Sequence, residues 1–301
     1  MIHSPLHRTR VKFCGLVRPQ DVDNAVALGV DAIGFVFYAP SKRYVHPEEA
    51  ARLRRRLPSW VRAVGLFVNE PMASVLETVD AVGLDVVQAH GDETPEGLAP
   101  LRRLGIPYWK ALRIGGGVEA LLAEANAGDA ASMQVGRETS PGQGSMSGVG
   151  RVQELHAGPR DQGERLGAGA GLEGNLDSLL LRGRVPADGP LVGRALSLAS
   201  QAECCLLDSA GPGFGGSGHA FAWDVLREMG TSHIPSRQRF ILAGGLAPDN
   251  VGGAIRQVNP FAVDVSSGIQ GASAREKDAV RMADFMAAVM QADAARLLDE
   301  G

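Results

Sequence analysis

The sequence predicts an α/β fold, a (β/α)8 TIM barrel with a flexible glycine-rich insertion after its fifth strand. Eight short apolar segments alternate with segments of helical character, and each apolar segment is a nearly continuous hydrophobic run. Strands buried on both faces of a parallel sheet have this pattern. The chain has 301 residues, and without the insertion its length is close to the roughly 250 residues of one such barrel.

The predicted strands and helices follow one another at short intervals. The strands cover 11–15, 31–37, 62–68, 86–90, 108–112, 202–208, 239–245 and 261–268. The helices cover 19–28, a segment that opens at residue 47, 71–82, 94–104, 193–199, 221–229, 248–258 and 277–298. Proline stands at the start of several of these helices, where the first turn tolerates its missing N–H.

Residues 115–189 break this alternation. They hold 17 of the 39 glycines and few large apolar residues. Such a segment cannot bury enough surface to offset the entropy lost on ordering. The sequence therefore predicts a low-complexity, mobile insertion, with one short helix over 118–125, inside a single barrel domain of residues 11–298.

Composition and charge exclude several classes of function. The formal net charge is -4, and the one basic cluster, Arg52 to Arg56, lies on a predicted helix face, so we expect no nucleic-acid partner. No apolar run reaches the roughly 18 residues of a membrane span, and the first ten residues do not form a signal peptide. The three cysteines have neither disulfide nor metal-ligand spacing. We expect a cytoplasmic protein without a metal.

Polar side chains follow the ends of several predicted strands, which is where barrels carry their working residues. They are Cys14, Lys42, Arg43, Gln88, His90, Asp208, Asp264 and Ser267. Cys14 ends the first strand and would face Asp208 across the barrel mouth, as a base faces an acid. Each residue also has a structural interpretation: a buried thiol for Cys14, a loop cap for Asp208, and a solvated or core side chain for Arg43 and His90.

Glycine-rich turns follow the last three strands. They contain Gly216, Ser217 and Gly218 after the sixth strand, Gly244 and Gly245 after the seventh, and Ser267 and Gly268 after the eighth. Such turns bring backbone N–H groups close to an anion, and barrels often hold phosphate near strands seven and eight. The three turns predict a phosphate site.

Several short motifs occur in one order along the chain. They are Lys12-Phe-Cys-Gly15, Gly34-Phe-Val-Phe37, Ser41-Lys-Arg-Tyr44, Val64-Gly-Leu-Phe-Val-Asn69, Gln88-Ala-His-Gly91, Gly215-Gly-Ser-Gly218, Phe221-Ala-Trp223, Leu242-Ala-Gly-Gly-Leu246, Asn250-Val251, Val263-Asp-Val-Ser-Ser-Gly268 and Lys277-Asp278. In this combination the chain resembles the phosphoribosylanthranilate isomerase family of tryptophan biosynthesis. The resemblance covers residues 11–112 and 191–289.

The resemblance implies an Amadori rearrangement of an N-phosphoribosyl anthranilate, without cofactor or metal. It implies that Asp208 is the general acid for the furanose ring oxygen and that Cys14, as thiolate, removes the C2′ proton. Because a thiol has an ordinary pKa of about 8.5, we expect positive charge or amide donors near Cys14.

The resemblance also implies the binding residues. Arg43 matches the family's clamp for the anthranilate carboxylate, and the three glycine turns match its phosphate site. His90 and Asp264 line the pocket. The expected partner is a phosphorylated small molecule, and the expected state is a monomer or homodimer.

The chain departs from the family pattern at Ala89, where leucine is usual, at Gln270, where glutamate is common, and in its insertion on the catalytic face. Three rival interpretations remain at this point. A histidine-pathway or dual-substrate Amadori enzyme would carry a carboxylate in place of Cys14. A lyase such as indole-glycerol-phosphate synthase or a tryptophan synthase α-like protein would need catalytic lysine or glutamate residues, for which Lys110 is the one candidate. The third is a phosphate-binding barrel without activity.

Overall fold

The computed structural model describes residues 8–115, 176, 178–180, 182–185, 191, 194–196, 199–209 and 239–299. Its strands are β1 (Arg10–Cys14), β2 (Ala32–Val36), β3 (Arg62–Phe67), β4 (Val86–Ala89), β5 (Tyr108–Ile114), β6 (Arg184–Val185), β7 (Cys204–Ser209), β8 (Arg239–Leu242) and β9 (Ala262–Val265). Its helices are α1 (Pro19–Ala27), α2 (Pro47–Arg54), α3 (Met72–Val82), α4 (Ala99–Arg103), α5 (Val251–Val258) and α6 (Ala279–Asp299), with a 3-10 turn over Ser267–Ile269.

Eight of the described strands close into a parallel barrel, which confirms the predicted fold. The ring runs β1-β2-β3-β4-β5-β7-β8-β9 and returns to β1. Its register sets Cys14 beside Gly34 of β2 and Lys12 beside Asp264 of β9. All carboxyl ends therefore point to one mouth of the barrel.

Two apolar layers hold the barrel together. The larger lies between the strands and the surrounding helices, where the Phe13 ring meets Phe285 of α6 edge to face, with centroids 6.0 Å apart. The smaller lies inside the barrel and includes Ala32, Val64 and Trp109. Burial of both layers supplies the main favourable free energy of folding. The inner layer also forms a support beneath the polar residues of the mouth.

The segment predicted to be an insertion contains a packed part. Leu179, Leu180 and Val185 are buried, and the two residues of β6 pair with the end of β5, next to β4. These few apolar residues in a polar stretch lose water contact against the barrel, so packing resumes before the predicted boundary at residue 189. The helices predicted over 118–125 and 221–229, and residues 116–175 of the insertion, lie outside the described residues.

Smaller differences concern the ends of elements. Helix α4 covers Ala99–Arg103 instead of 94–104, and β5 extends to Ile114. Residues 194–196 are helical, inside the helix predicted over 193–199. No helix in the described ranges is both long enough and apolar enough to cross a membrane.

Candidate active site

A cleft of about 660 Å³ opens at the carboxyl ends of the strands. Among the residues proposed from the sequence, its lining includes Cys14, Arg43, His90, Asp208, Gly244, Gly245, Asp264 and Ser267. Gly268 packs beside the cleft, against the carbonyl of Leu246. Gly216, Ser217 and Gly218 lie outside the described residues. The fold thus brings together residues that are up to 253 positions apart in the chain.

The Cys14 thiol lies beside a buried ion pair. The Lys12 ammonium donates hydrogen bonds to both carboxylate oxygens of Asp264, each at 3.0 Å, and it lies beside the thiol. Gly34 leaves the space for this contact, because a Cβ at that position would lie 2.8 Å from Cys14 Sγ and 3.1 Å from Lys12 Nζ. The motif glycine of β2 is therefore required by the packing of the thiol and the ammonium.

Opposing effects act on the protonation of Cys14. Burial raises its pKa above the ordinary value, and the nearby ammonium groups of Lys12 and Lys277 act in the opposite direction. The positive charge expected from the sequence is present. In the resting protein, however, burial has the larger effect, so the thiol is protonated at neutral pH and not already a thiolate.

Lys277 is a second buried lysine next to the thiol. Its Nζ donates a hydrogen bond of 2.8 Å to the carbonyl of Ser266, and the Ser266 hydroxyl donates one of 3.0 Å to the carbonyl of Cys14. Burial lowers the pKa of Lys277 to about 7, and the charge of Arg43 acts in the same direction. The Lys277 side chain can therefore lose its proton, or take it up again, near neutral pH.

Sequence reasoning placed neither Lys12 nor Lys277 in the site. Lys12 carried a signal that could have found it, because it stands between Val11 and Phe13 in a run of buried strand residues. A lysine is buried at such a position only when it is paired. Lys277 belongs to the Lys277-Asp278 motif at the start of the last predicted helix, but it carried no comparable signal of burial, because its contacts are set by the folded chain.

Asp208 ends a chain of hydrogen bonds from β4. Its Oδ2 lies 3.2 Å from His90 Nε2, and its Oδ1 accepts the backbone N–H of Ser209 at 2.9 Å. On the other side of the imidazole, Gln88 Nε2 lies 2.8 Å from His90 Nδ1. The carboxylate thus caps its loop, as one interpretation of the sequence proposed, and also faces the cleft.

Arg43 crosses the backbone at Gly15 to reach the cleft. A Cβ on Gly15, whose φ is +73°, would lie 2.6 Å from Arg43 Cδ. One end of the guanidinium donates to Gln270 Oε1 at 2.8 Å. Its Nε is buried and has no hydrogen-bond partner in the described part of the chain. The geometry leaves a charged N–H donor for an acceptor such as a carboxylate.

The turn after β8 shapes the rim between β8 and β9. Gly244 and Gly245 have φ values of +79° and +66°, and a Cβ on Gly244 would lie 2.5 Å from the backbone nitrogen of Ser209. The Asn250 amide donates to the carbonyl of Gly245 at 2.9 Å and accepts the N–H of Ala247 at 2.8 Å. Close backbone approach of this kind needs glycine.

Within the described ranges, no group of three or more His, Cys, Asp or Glu side chains is arranged to hold a metal ion.

Comparison with known proteins decides between the rival interpretations. A family model described as N-(5'phosphoribosyl)anthranilate (PRA) isomerase matches residues 11–153 and 187–288. The chain belongs to this family. A PRA isomerase from Ralstonia nicotianae is 37% identical over 295 residues, which cover 97% of this chain and 96% of that protein.

Solved structures of PRA isomerases have the same fold. The crystal structure from Thermotoga maritima has a TM-score of 0.63 and 29% identity, and covers 94% of this chain and 99% of its own. Another PRA isomerase, in complex with reduced 1-(o-carboxyphenylamino)-1-deoxyribulose 5-phosphate, has a TM-score of 0.60 and 27% identity, with the same coverage. The predicted resemblance to the PRA isomerase family is confirmed.

Proposed function

We propose that this chain converts N-(5′-phosphoribosyl)anthranilate to 1-(o-carboxyphenylamino)-1-deoxyribulose 5-phosphate in tryptophan biosynthesis. Membership of the PRA isomerase family supports the activity. The observation on the structure that carries the mechanism is that Cys14 and Asp208 line one cleft in different surroundings, one beside ammonium groups and one beside an imidazole. Two titratable groups in unlike surroundings can serve as base and acid.

In the proposed first step, Asp208 in its acid form donates a proton to the furanose ring oxygen. The bond between C1′ and this oxygen breaks, and the lone pair of the anilino nitrogen forms an iminium cation with C1′. His90, at 3.2 Å, holds the carboxyl in place. Proton donation to a leaving oxygen is the work of a general acid.

In the second step, Cys14 first loses its own proton to solvent and then, as thiolate, removes the proton from C2′. The electron pair of the C–H bond forms the C1′–C2′ double bond, and the iminium electrons return to nitrogen to give an enolamine. The enolamine tautomerises to the ketone. The iminium adds a positive charge to those of Lys12 and Lys277, and this charge favours the thiolate at the step that needs it.

The ends of the substrate have separate binding groups in this proposal. The Nε and fork of Arg43 bind the anthranilate carboxylate, and the backbone around Gly244, Gly245 and Ser267 binds the phosphate, together with the turn at Gly216 to Gly218 and Gly268. Asp264 acts through Lys12, to which it is paired. We propose further that the enzyme works in the cytoplasm as a monomer or homodimer.

Product formation from freshly prepared substrate tests the proposal. Cys14→Ala and Asp208→Asn should each lower kcat by about 10²- to 10⁴-fold, the usual contribution of a positioned acid or base. Cys205→Ala is the matched control, because this thiol is buried in the outer core and bonds the carbonyl of Ala199. An inactive parent, or near-full kcat in either of the first two variants, contradicts the mechanism.

A further inference from the structure

Gln88 is the most deeply buried polar side chain near the acid, and the mechanism above does not use it. It projects from β4, is 0% exposed, and contacts His90 Nδ1 with its amide nitrogen. Its Oε1 is also buried and has no hydrogen-bond partner among the residues that the structure describes. An unsatisfied buried amide oxygen is costly and requires an explanation.

The contacts of Gln88 define the tautomer of His90. An amide nitrogen only donates, so Nδ1 accepts and carries no proton. The neutral ring then carries its proton on Nε2 and donates it to Asp208 Oδ2, while Asp208 Oδ1 accepts the N–H of Ser209, so both oxygens of the group are acceptors. The observed orientation therefore fits an acid that has no proton to give.

If the Gln88 amide makes a half-turn, the His90–Asp208 pair is in a second protonation state. With Oε1 in place of Nε2, the amide accepts a proton from Nδ1. The His90–Asp208 pair then holds one extra proton. Either His90 is an imidazolium that faces the Asp208 carboxylate, or Asp208 is protonated and its O–H donates to Nε2 of a neutral ring. Either orientation leaves one end of the amide without a described partner, so the two differ little in hydrogen bonding.

We propose that Gln88 is a positioning residue for the general acid, and that the orientation of its amide selects the protonation state of the His90–Asp208 pair. The two states differ by one proton, which the pair takes from solvent and gives to the furanose ring oxygen. This inference rests on the proposed role of Asp208. Gln88 itself does not touch the substrate.

Two variants of Gln88 should separate the two orientations of the amide. In Gln88→Glu, an acceptor faces Nδ1 in place of the amide donor, so the pair keeps its extra proton longer and the alkaline limb of kcat/KM moves up by about one pH unit. In Gln88→Met, the donor and the acceptor are both lost, so this upward shift should be absent while kcat falls about tenfold with KM unchanged. A role in packing alone would not give an upward shift in Gln88→Glu only.

Other titratable or charged groups surround the pair. They are Lys12, Cys14, Arg43, Asp92, Glu93, Lys110, Arg113 and Asp264. All are the same in the parent and the two variants. The difference between profiles therefore reports the change at Gln88, and in a His90→Asn background Gln88→Glu should give no upward shift.

Nitrogen-15 spectra of the imidazole rings test the proposal without turnover. The His90 signals are assigned by their loss in His90→Asn. We expect Nε2–H in the resting parent at pH 7.5 and a protonated Nδ1 in Gln88→Glu. A parent ring protonated on Nδ1 alone, or a tautomer that is the same in all Gln88 variants, overturns the proposal. Failure of the proposed function would appear separately, as undiminished kcat in Asp208→Asn.

Discussion

The two ends of the barrel interior each hold a buried cysteine, and the two cysteines differ in their neighbours. At the carboxyl end, Cys14 lies beside the ammonium groups of Lys12 and Lys277. At the amino end, Cys204 lines a second cavity of about 860 Å³, next to Trp109 and below a rim of arginines. Burial raises the pKa of Cys204 to about 12, and Glu203 adds to the effect.

This difference bears on the proposed role of the Cys14 thiol as a base. Burial alone stabilises the neutral thiol, so Cys204 is inert at neutral pH. At the carboxyl end, buried cations oppose that effect at a cost, because buried ion pairs add little net stability. At the amino end, Arg62 is half exposed and lies 3.9 Å from Glu203, so its charge is solvated and acts weakly on the thiol.

Among the changes that test this difference between Cys14 and Cys204, Lys12→Met should have the largest effect. The thiol loses its neighbouring cation, and kcat should fall by about 10²-fold or more. Asp264 is left as a buried unpaired charge, which costs about 3–5 kcal/mol of unfolding free energy. Steady-state kinetics and chemical denaturation measure the two effects.

The double variant Lys12→Met/Asp264→Asn separates stability from activity. It removes both charges of the pair, so most of the lost stability should return while activity stays low. Recovery of activity together with stability would show that Lys12 serves the fold and not the thiol.

The second-largest effect should be a difference between the alkylation rates of Cys14 and Cys204. As pH rises from 7 to 10, Cys14 should react with iodoacetamide at least about tenfold faster than Cys204, because the cations beside Cys14 are buried ammonium groups, whereas the arginines near Cys204 are exposed and act weakly. Mass spectrometry of labelled peptides gives both rates in one sample. Equal rates at pH 9 would remove the electrostatic distinction between the two ends.

Lys277→Met should give a smaller, pH-dependent effect. The pKa of Lys277 is about 7 in the folded protein and near 10.4 when unfolded. Below pH 7 both states hold the proton and the cost of burying the charge is fully present. Between pH 7 and 10 only the unfolded state holds it, so the stability of the parent rises, by up to about 1.4 kcal/mol per pH unit.

Denaturation of the parent and of Lys277→Met at pH 6.5 and pH 9 measures this dependence. The stability advantage of the variant at pH 6.5 should shrink at pH 9, and its kcat/KM should be lower than that of the parent by roughly tenfold at pH 6.5 and by less at pH 9, where the parent has also lost this charge. A difference in unfolding free energy that does not change with pH would show that Lys277 keeps its proton throughout this range.

Arg62→Gln at the amino end should have the smallest effect. The variant removes a half-exposed charge from an ion pair of 3.9 Å, so unfolding free energy should change by less than about 1 kcal/mol and kcat by less than twofold. A large loss of activity would mean that the two ends of the barrel are coupled, and the contrast drawn between the two thiols would not hold.

The main elements of the site could be predicted because parallel strands share one direction. Cys14, Asp208 and Arg43 each stand at or after the end of an apolar run, and a closed barrel brings all such ends to one mouth. Gln88 and His90 were recognisable for the same reason, but their order in a hydrogen-bonded chain was not. That order depends on side-chain orientation in a packed interior.

The sequence by itself determined the barrel, the strand ends that carry polar side chains, and the identity of the thiol and the carboxyl, because these follow from local periodicity and chain direction. The tertiary structure decided the electrostatics. Lys12 meets Asp264 across 252 positions of the chain, Lys277 approaches Cys14 from the segment before the last helix, and a few apolar residues of the predicted insertion join the packed barrel. These contacts depend on strand register and burial, which are properties of the closed barrel and not of any local stretch of sequence.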